Sequence, residues 1–309
     1  MLQSAIARVY ALDTESLHAF IAVAQNASFS LAAQQLHLTQ PAVSKRIAGL
    51  EQSLAVRLFD RLGRQVQLTE AGRTLLPRAQ QILQELRDCR RALSNLSGQV
   101  TGRLIIATSH HIGLHHLPPL LRSYVEQFAQ VQLDLRFTDS ELACDMVEHG
   151  EAELGIITLP PQAHSRLIIQ PVWDDPLAVM VNPEHPLTEQ RTISVRQLAD
   201  YPVILPGEIT FTRRLVDTFF QRYGIDLKVA FSTNYLETIK MMVSVGLGWS
   251  VLPASMHDTG LCILPVEHFQ VNRTLGSVHH SGRTLSNAAQ AMLQLLQADR
   301  IIQHSKAAT

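Results

Sequence analysis

Residues 28–50 of the 309-residue chain read SFSLAAQQLHLTQPAVSKRIAGL, and this stretch decides the fold of the N-terminal third. A first short run of apolar residues at helical spacing follows Ser30, which can cap a helix. Thr39 can cap a second helix, and Pro41 suits its first turn because the N–H that proline lacks would be unsatisfied there. Val43 begins the apolar stripe of this second helix. Two helices joined by a tight turn predict a helix-turn-helix.

The outer face of the second helix carries small and polar residues near its N-terminus. Gln40, Ser44 and Lys45 point away from the apolar stripe, where a recognition helix meets base edges or phosphates in the major groove. The alternative is an ordinary three-helix bundle whose polar face only contacts water. The candidate DNA-contacting residues of this segment are Thr39, Gln40, Pro41, Ser44 and Lys45.

A basic hairpin is predicted next. Polar and apolar residues alternate over residues 65–68, and Gly63 can form the turn before them. A hairpin that follows a helix-turn-helix is typical of a wing, which places Arg61 and Arg64 for contact with the DNA backbone or the minor groove. The alternative is a pair of solvated arginines on a turn.

Residues 70–97 predict one long linker helix, which Thr69 caps. Apolar side chains recur along it at alternating spacings of four and three, which is typical of a coiled coil between two chains. Two paired heads would match a DNA site with two half-sites. The alternative is packing against the chain's own body. The residues of this predicted seam are Leu75, Ala79, Ile82, Leu86, Cys89, Leu93 and Leu96.

Composition favours a soluble, cytoplasmic protein with two kinds of domain. Residues 1–100 carry 11 Lys and Arg against 7 Asp and Glu, whereas the remainder carries 15 against 20. A basic head on an acidic body fits a nucleic-acid-binding segment joined to a domain with another role. No apolar stretch is long enough to span a membrane, and the N-terminal residues do not resemble a secretory signal. The 3 cysteines are too far apart for a disulfide framework or a zinc knuckle.

Residues 13–72 closely resemble the DNA-binding head of LysR-type bacterial transcriptional regulators. The resemblance implies that Gln40, Pro41, Ser44 and Lys45 meet the major groove and that the wing arginine reaches the backbone. Lys45 stands where the family often has arginine, and lysine lacks the planar fork that reads guanine at two points. The motifs that carry the resemblance are Leu17-His18-Ala19-Phe20, Ser28-Phe29-Ser30, Ala32-Ala33, Leu38-Thr39-Gln40-Pro41-Ala42-Val43-Ser44, Leu50-Glu51, Leu58-Phe59 and Leu68-Thr69-Glu70-Ala71-Gly72.

The rest of the chain alternates predicted strands and helices, which indicates an α/β domain whose parallel sheet is covered on both faces. Two such series joined by crossing segments resemble the two-lobed periplasmic-binding-protein fold, and in LysR-type proteins this domain holds the inducer between its lobes. The predicted domains are a winged helix-turn-helix at residues 12–69, a dimerising linker helix at 70–97, and a two-lobed effector domain at 102–305, with lobe 1 at 102–172 and 279–305 and lobe 2 at 173–278.

Hydroxyl and amide side chains cluster where the predicted strands of this domain end. Ligands of open α/β folds bind at the carboxyl ends of strands, facing helix N-termini whose free N–H groups favour an anion. Ser, Thr and Asn are also the usual helix N-caps, so each residue can have a structural role instead. Ser109 in lobe 1 and Thr210 in lobe 2 are the first choices as ligand contacts. The candidate effector contacts are Ser109, His110, His111, Ser140, Thr158, Thr210, Thr212 and Asn234.

Histidines follow the first strand of the effector domain. His111 and His115 are four residues apart, but there is no HExxH motif and no cysteine or carboxylate close by, so we expect no metal site. Contact with an anion, pH sensing by His110 or His111, and no role at all stay open. Residues 107–110, Ala-Thr-Ser-His, resemble the matching loop of regulators of sulfur assimilation, although sulfur oxyanions and small carboxylates both fit the site.

Three functional classes are compatible with parts of the sequence. A ligand-responsive transcription factor accounts for head, wing, linker and body together. A solute-binding protein with an ancillary DNA-binding head accounts mainly for the body. An enzyme with a DNA-binding appendage would need a catalytic or cofactor motif, and the sequence offers neither. We therefore expect a regulator without a cofactor, not an enzyme, whose partners are promoter DNA with two half-sites, a small anionic effector, further copies of the chain in a homodimer or homotetramer, and RNA polymerase.

Overall fold

The computed structural model of the chain describes residues 13–62 and 65–307. The chain divides into two compact units between Ser94 and Asn95. We call the first unit the head and the second the body, and describe each by itself. No helix within the described ranges combines the length and the apolar character that a membrane crossing needs.

The head is a helical domain with one hairpin. Its three short helices bury one face each around Leu17, Phe20, Val43 and Ile47. The hairpin is antiparallel, with Phe59 opposite Leu68. The elements are α1 (Thr14–Asn26), α2 (Phe29–Gln35), α3 (Gln40–Leu54), β1 (Phe59–Leu62), β2 (Gln65–Leu68) and the long helix α4 (Glu70–Asn95).

Side-chain caps fix the helix starts of the head. Thr39 Oγ1 accepts a hydrogen bond from the Ala42 amide at 3.4 Å, as the sequence predicts. The predicted cap of α2 is wrong by two residues: Ser28, whose Oγ accepts from the Leu31 amide at 3.3 Å, is the N-cap, and Ser30 lies inside the first turn. Phe29 is therefore the first helical residue rather than the residue before the cap.

The apolar stripe of α4 divides into two parts. Ala79 and Leu83 are buried in the head's own core, and Leu75 packs against that core. Ala79 is therefore not available to a partner chain, contrary to its place in the predicted seam. The later seam side chains are exposed, to 40 % for Ile82, 43 % for Leu86, 64 % for Leu93 and 82 % for Leu96. The helix ends at Asn95, two residues before the predicted end.

The body is an α/β domain. The sequence predicts, among others, strands at residues 104–108, 131–137, 154–157 and 203–205, and the observed strands begin and end within two residues of these bounds. The first lobe contributes β3 (Gly102–Thr108), α5 (His110–His115), α6 (Leu117–Gln127), β4 (Val131–Phe137), α7 (Ser140–His149), β5 (Leu154–Thr158) and the first half of β6 (Leu167–Val181). The later elements are α8 (Val195–Leu198), β7 (Val203–Leu205), α9 (Phe211–Gln221), β8 (Val229–Ser232), α10 (Leu236–Ser244), β9 (Ser250–Pro253), β10 (Cys262–Ile263), β11 (Val271–His280) and α11 (Asn287–Ala307).

The main sheet of the body is mixed rather than parallel. Its strand order is β10-β6-β11-β5-β3-β4, with β9 also paired to β6. β3 is parallel to β4 and β5, but β11 runs antiparallel to β5 and β6. The predicted parallel sheet is wrong on this side because β11 and the first part of β6 were not recognised as strands. A second, two-stranded sheet pairs β7 with β8 in parallel.

The long strands β6 and β11 run through both lobes. The predicted lobe boundaries at 172/173 and 278/279 fall inside them. Trp173 and Leu275 are buried in the same core as Leu104 and Ile106 of β3, although those boundaries place them in lobe 2. The far half of β6, with Val179, belongs to a different core. A paired antiparallel ribbon therefore joins the two lobes.

Candidate DNA-binding surface and ligand cleft

The exposed face of α3 carries the residues that the sequence assigns to the major groove. Gln40 Nε2 donates to Ser44 Oγ at 2.9 Å, so these two side chains form one hydrogen-bonded pair on the helix surface. Lys45 beside them is exposed. Arg46 is turned away and pairs with Glu15 of α1 at 2.5 Å, which fixes α3 against α1. The face is therefore polar, with the exposed cation of Lys45 at its edge.

The wing supplies the second part of this surface. Arg61 lies in β1, where its backbone is paired opposite Val66 of β2. The side chain of Arg61 and the whole of Arg64 lie outside the described residues. Their assignment to DNA stays a prediction.

The eight candidate effector contacts of the body line one cleft. The cavity volume that water-sized molecules can occupy in this cleft is about 50 Å³. The cleft lies where β3, β4 and β5 end and where α9 and α10 begin, as the strand-end rule predicts. The side chains that line it are Ser109, His110, His111, Ser140, Thr158, Thr210, Thr212 and Asn234 from the prediction, together with Thr138, Asp139, Glu141, Pro206, Phe211, Leu236 and Arg273.

Several of the predicted contacts already have structural partners. Thr210 is the N-cap of α9: its Oγ1 donates to the Gly207 carbonyl at 2.8 Å and accepts from the Arg213 amide at 3.2 Å. Ser140 Oγ accepts from the Thr158 amide at 3.2 Å. Thr210 is the first choice as a ligand contact in lobe 2, but its hydroxyl caps the N-terminus of α9. The structural alternative that the sequence left open therefore applies to this residue.

Asn234 also has two partners in the cleft. Its Oδ1 accepts from the Gly207 amide at 2.9 Å, and its Nδ2 donates to Asp139 Oδ2 at 2.8 Å. Since Gly207 follows β7 while Asp139 follows β4, Asn234 connects the two sides of the cleft. It positions the walls at this point, and a ligand would have to share its donors.

Ser109 differs from Thr210 in that its hydroxyl does not cap a helix. It is the N-cap residue of α5, yet its side chain makes no capping hydrogen bond. Its neighbour His110 is held by rings, stacked on Phe137 at 5.2 Å and edge-on to Tyr235 at 4.9 Å between ring centroids. The hydroxyl of Ser109 is thus not used as a helix cap and lies in the lining of the cleft, where a ligand can contact it.

Arg273 is a candidate ligand-binding residue that sequence reasoning missed. Its Nε donates to Asp175 Oδ2 at 2.5 Å and its Nη1 donates to Thr212 Oγ1 at 3.2 Å. Nη2 is buried and has no hydrogen-bond partner among the described residues. Arg273 lies on β11, which the sequence did not reveal as a strand because residues 271–280 mix apolar and polar side chains. A buried guanidinium whose Nη2 N–H groups are unpaired among the described residues can bind an anionic oxygen.

Two carboxylates also reach the cleft. Glu141 accepts a hydrogen bond from the Phe211 amide at the start of α9, and burial raises the pKa of its carboxyl above the ordinary value. Asp139 accepts from Asn234. The raised pKa makes Glu141 a site where a proton can be taken up as an anion arrives.

A histidine pair lies at the edge of the cleft. His111 is buried to 4 % exposure, while His115 and Glu237 are partly exposed. His115 Nε2 lies 3.0 Å from Glu237 Oε1, and His111 Nδ1 lies 3.6 Å from the same oxygen. The neighbouring ring of His111, followed by that of His115, lowers the pKa of Glu237 to about 2. Burial lowers the pKa of His111, so its ring is neutral near pH 7.

Comparison with known protein families assigns both units. Residues 14–73 match the model described as bacterial regulatory helix-turn-helix protein, lysR family. Residues 97–300, about two thirds of the chain, match the LysR substrate binding domain. The chain belongs to the LysR family of transcriptional regulators.

Several proteins that are similar to this LysR-type regulator align with nearly its whole length. The RuBisCO operon transcriptional regulator of Allochromatium vinosum is 32% identical over 300 residues, which are 96% of this chain and 99% of that protein. A full-length variant of OxyR from Pseudomonas aeruginosa has a TM-score of 0.67 at 26% identity and covers 93% of this chain and 94% of its own. These relatives are transcriptional regulators and not enzymes, as the sequence predicts.

Some of the solved relatives contain a small ligand. The regulatory domain of CcmR from Synechocystis PCC6803, in complex with 2-PG, has a TM-score of 0.58 at 28% identity. It covers 64% of this LysR-type chain and 97% of its own. The predicted combination of a DNA-binding head with an effector-binding body is thus confirmed at the level of the family.

Proposed function

We propose that this LysR-type regulator binds a promoter operator as a homodimer and that a small anion in the cleft of the body controls its DNA affinity. The proposed domain limits are residues 12–69 for the head, 70–97 for the linker and 102–305 for the effector domain. Action on RNA polymerase at the promoter is part of the same proposal.

The free Nη2 of Arg273 carries the proposal of an anionic effector. Unpaired buried donors are uncommon, because each loses its hydrogen bonds to water and costs roughly 1–3 kcal/mol, more for a charged group. A carboxylate, phosphate or sulfur oxyanion oxygen at that position would give the guanidinium its missing acceptor. The hydroxyl of Ser109 and the N-terminal amides of α7 and α10 point to the same ligand class, since helix N-termini favour negative charge.

The charges near Arg273 limit how much binding this group alone can provide. Asp175 pairs with its guanidinium, so the two together are neutral. Glu141 would repel an anion unless it is protonated. We infer that the ligand is small, with one or two oxyanion groups, and that its affinity depends on pH.

The contacts in the cleft select an anionic effector, and its shape decides between the possible anions. Sulfur oxyanions and small carboxylates both offer oxygens to Arg273 and Ser109, and 2-PG is the ligand in the CcmR complex. The choice between them depends on shape in a cleft with limited room. A ligand larger than a few heavy atoms would require the two lobes to open.

DNA binding by a dimer is supported by the exposed part of the linker helix. Ile82, Leu86 and Leu93 expose 40 % or more of their surface on α4. Apolar side chains exposed at heptad spacing are typical of a helix that pairs with a second copy. Pairing of α4 would bring two copies of α3 to the two half-sites of one operator.

The experiment uses the full-length protein and a duplex that it selects from a random library. A gel shift measures duplex affinity while sulfate, thiosulfate, small dicarboxylates and 2-PG are added one at a time, with chloride at equal ionic strength as the control. We expect one class of anion to change the affinity about 5- to 150-fold, the usual range of allosteric coupling. Failure to select any duplex, or equal effects of chloride and every oxyanion, would contradict the proposal.

A further inference from the structure

Three metal-binding side chains meet at the edge of the cleft. His111 and His115 come from α5, and Glu237 comes from the first turn of α10, more than a hundred residues later. One ligand atom from each of the three lies within 4.8 Å of the other two. The sequence contained no carboxylate near the histidines, so only the fold reveals this cluster.

The distances in the cluster suit a tetrahedral ion. A tetrahedral Zn²⁺ with bonds of about 2.0–2.1 Å places its ligand atoms roughly 3.3 Å apart. The distances from Glu237 Oε1 to His115 Nε2 and His111 Nδ1, 3.0 Å and 3.6 Å, lie on either side of that value. The two rings are 4.7 Å apart between centroids, since residues four apart share one helix face. Small side-chain movements would bring all three atoms to one ion.

The burial of His111 without a hydrogen-bond partner is a second, independent observation that indicates a bound ion. Its side chain is buried, and neither ring nitrogen has a hydrogen-bond partner among the described residues. A buried imidazole without partners requires an explanation, because buried polar atoms are nearly always satisfied by protein, water or an ion. An ion between His111 and Glu237 would supply one.

We propose that His111, His115 and Glu237 bind one divalent transition-metal ion, Zn²⁺ by preference. Two imidazoles and one carboxylate form a ligand set that suits Zn²⁺ and leaves a fourth position open. His115 and Glu237 are partly exposed, so a water molecule can fill that position and the ion can enter from solvent. His111 lines the same cleft as Arg273, but Arg273 is not a ligand of the ion, and ion binding does not depend on the identity of the effector.

A bound ion would connect two parts of the body. Ile112, next to His111, is buried in the core around β3, whereas Ile239 of α10 is buried in a different core with Leu252. A metal that joins α5 to α10 therefore crosses from one lobe to the other. Since the ion binds the folded state and not the unfolded chain, Zn²⁺ should raise the thermal midpoint of the full-length protein.

The experiment measures metal alone on the chelator-treated, full-length protein. Isothermal titration gives the affinity and stoichiometry for Zn²⁺, and the visible absorption of Co²⁺ reports whether the bound ion is tetrahedral. We expect one ion per chain in the wild type. His115→Ala and Glu237→Gln should each weaken Zn²⁺ binding at least about tenfold and remove the Co²⁺ band.

The controls separate this site from the other histidines of the chain. His257→Ala removes an exposed histidine of the body away from the cluster and should leave Zn²⁺ binding and the Co²⁺ band unchanged. Circular dichroism without metal checks that each variant is folded; both substituted cluster side chains are partly exposed. Equal Zn²⁺ affinity in the wild type, His115→Ala and Glu237→Gln, or no stoichiometric binding to the wild type, would overturn the proposal and leave a metal-free His–Glu–His cluster.

Discussion

At the scale of single residues, the neighbours Lys45 and Arg46 of α3 differ in their contacts, and this difference bears on the proposed DNA binding. Lys45 is exposed at the edge of α3, whereas Arg46 is occupied by Glu15. A lysine offers a compact charge without a planar fork, which suits a phosphate better than a guanine edge. Arg46 therefore fixes the helix, while Lys45 is free to reach the DNA.

Lys45→Ala should weaken binding to the selected duplex by at most a few kcal/mol. If Lys45 contacts a phosphate, the loss is uniform across sequences and the slope of log affinity against log salt falls by about one. Ser44→Ala should cost less but change base preference. Gel shifts over a salt series measure both, and unchanged affinity, slope and preference in the two variants would place α3 outside the groove.

The raised pKa of Glu141 predicts that effector affinity depends on pH. Burial raises the pKa of its carboxyl, and an anion in the cleft favours the protonated form further. Effector affinity should therefore rise as pH falls, by up to about tenfold per unit if one proton is taken up. Glu141→Gln mimics the protonated form and can still accept from the Phe211 amide, so it should raise affinity near neutral pH.

The measurement is calorimetric titration of the effector at several pH values. Glu141→Gln should flatten the dependence of effector affinity on pH, because the amide of the variant takes up no proton in this range. Identical pH profiles for wild type and Glu141→Gln would show that Glu141 keeps one protonation state throughout.

The sequence predicts the location of a side chain where that location follows from local rules, although the roles of these residues stay predictions. All eight candidate contacts line the cleft because strand ends and helix starts fix where they lie. Sequence could not tell Ser109, whose hydroxyl makes no cap, from Thr210, whose hydroxyl does. Arg273 and Glu237 were missed because their partners lie far away in the chain, and only tertiary packing brings them together.

At the scale of elements, the start of α4 depends on one glycine. A Cβ built on Gly72 would lie 2.2 Å from the Leu58 carbonyl oxygen, a backbone atom that also accepts from the Thr69 amide. α4 therefore packs against the start of the hairpin with no room for a side chain. The motif that carries the family resemblance includes this glycine for a physical reason.

Gly72→Ala should destabilise the head by about 1–3 kcal/mol, because the overlap with backbone forces the helix or the hairpin to move. Gly49 in α3 is the matched control: a Cβ there meets nothing within 4 Å, so Gly49→Ala should stabilise the helix by up to about 1 kcal/mol. Urea unfolding of both variants measures the two effects. Equal stabilities would mean that α4 can shift without cost.

The exposed half of α4 makes a prediction about assembly. Leu86→Asp places a charge where a partner helix would bury it, at a cost of several kcal/mol, but does not touch the head's own core. It should reduce dimerisation and tight binding to a duplex with two half-sites. Gln81→Asp adds the same charge next to the seam and should have little effect.

Analytical ultracentrifugation of Leu86→Asp and Gln81→Asp gives the oligomeric state directly. A Leu86→Asp protein that stays dimeric and binds DNA normally would show that the exposed stripe has another role. The sequence could not divide the seam in this way: the same spacing covers Ala79, buried in the head, and Leu86, exposed, and only the packing of α4 on the head distinguishes them.

Local sequence patterns predict some strands of the body but not those whose pattern depends on tertiary contacts. β3, β5 and β7 were predicted because short apolar runs bounded by helices indicate buried strands. β11 was missed although it is the strand that pairs both β5 and β6. Its polar residues, among them Arg273 and His279, interrupt the apolar pattern. Arg273 can be buried because Asp175 pairs with its guanidinium.

At the scale of the whole molecule, effector and operator must be linked in both directions. If an anion in the cleft changes operator affinity by some factor, then operator DNA changes the anion's affinity by the same factor. This equality holds whatever the movement that connects body and head, because it follows from the closed cycle of the four binding states. It can therefore be tested before any mechanism is known.

Ser109→Ala provides the decisive variant for this linkage. The Ser109 hydroxyl lines the cleft without capping α5, so its loss should weaken effector binding by about 1 kcal/mol, and by more if the ligand is charged. Operator affinity without effector should not change, since the residue lies in the body. Calorimetric titration of the effector, with and without the selected duplex, gives the coupling factor for wild type and variant. A matching factor in gel shifts supports linkage through the cleft, whereas intact effector binding with damaged operator binding in Ser109→Ala would make residue 109 structural and move the effector site elsewhere.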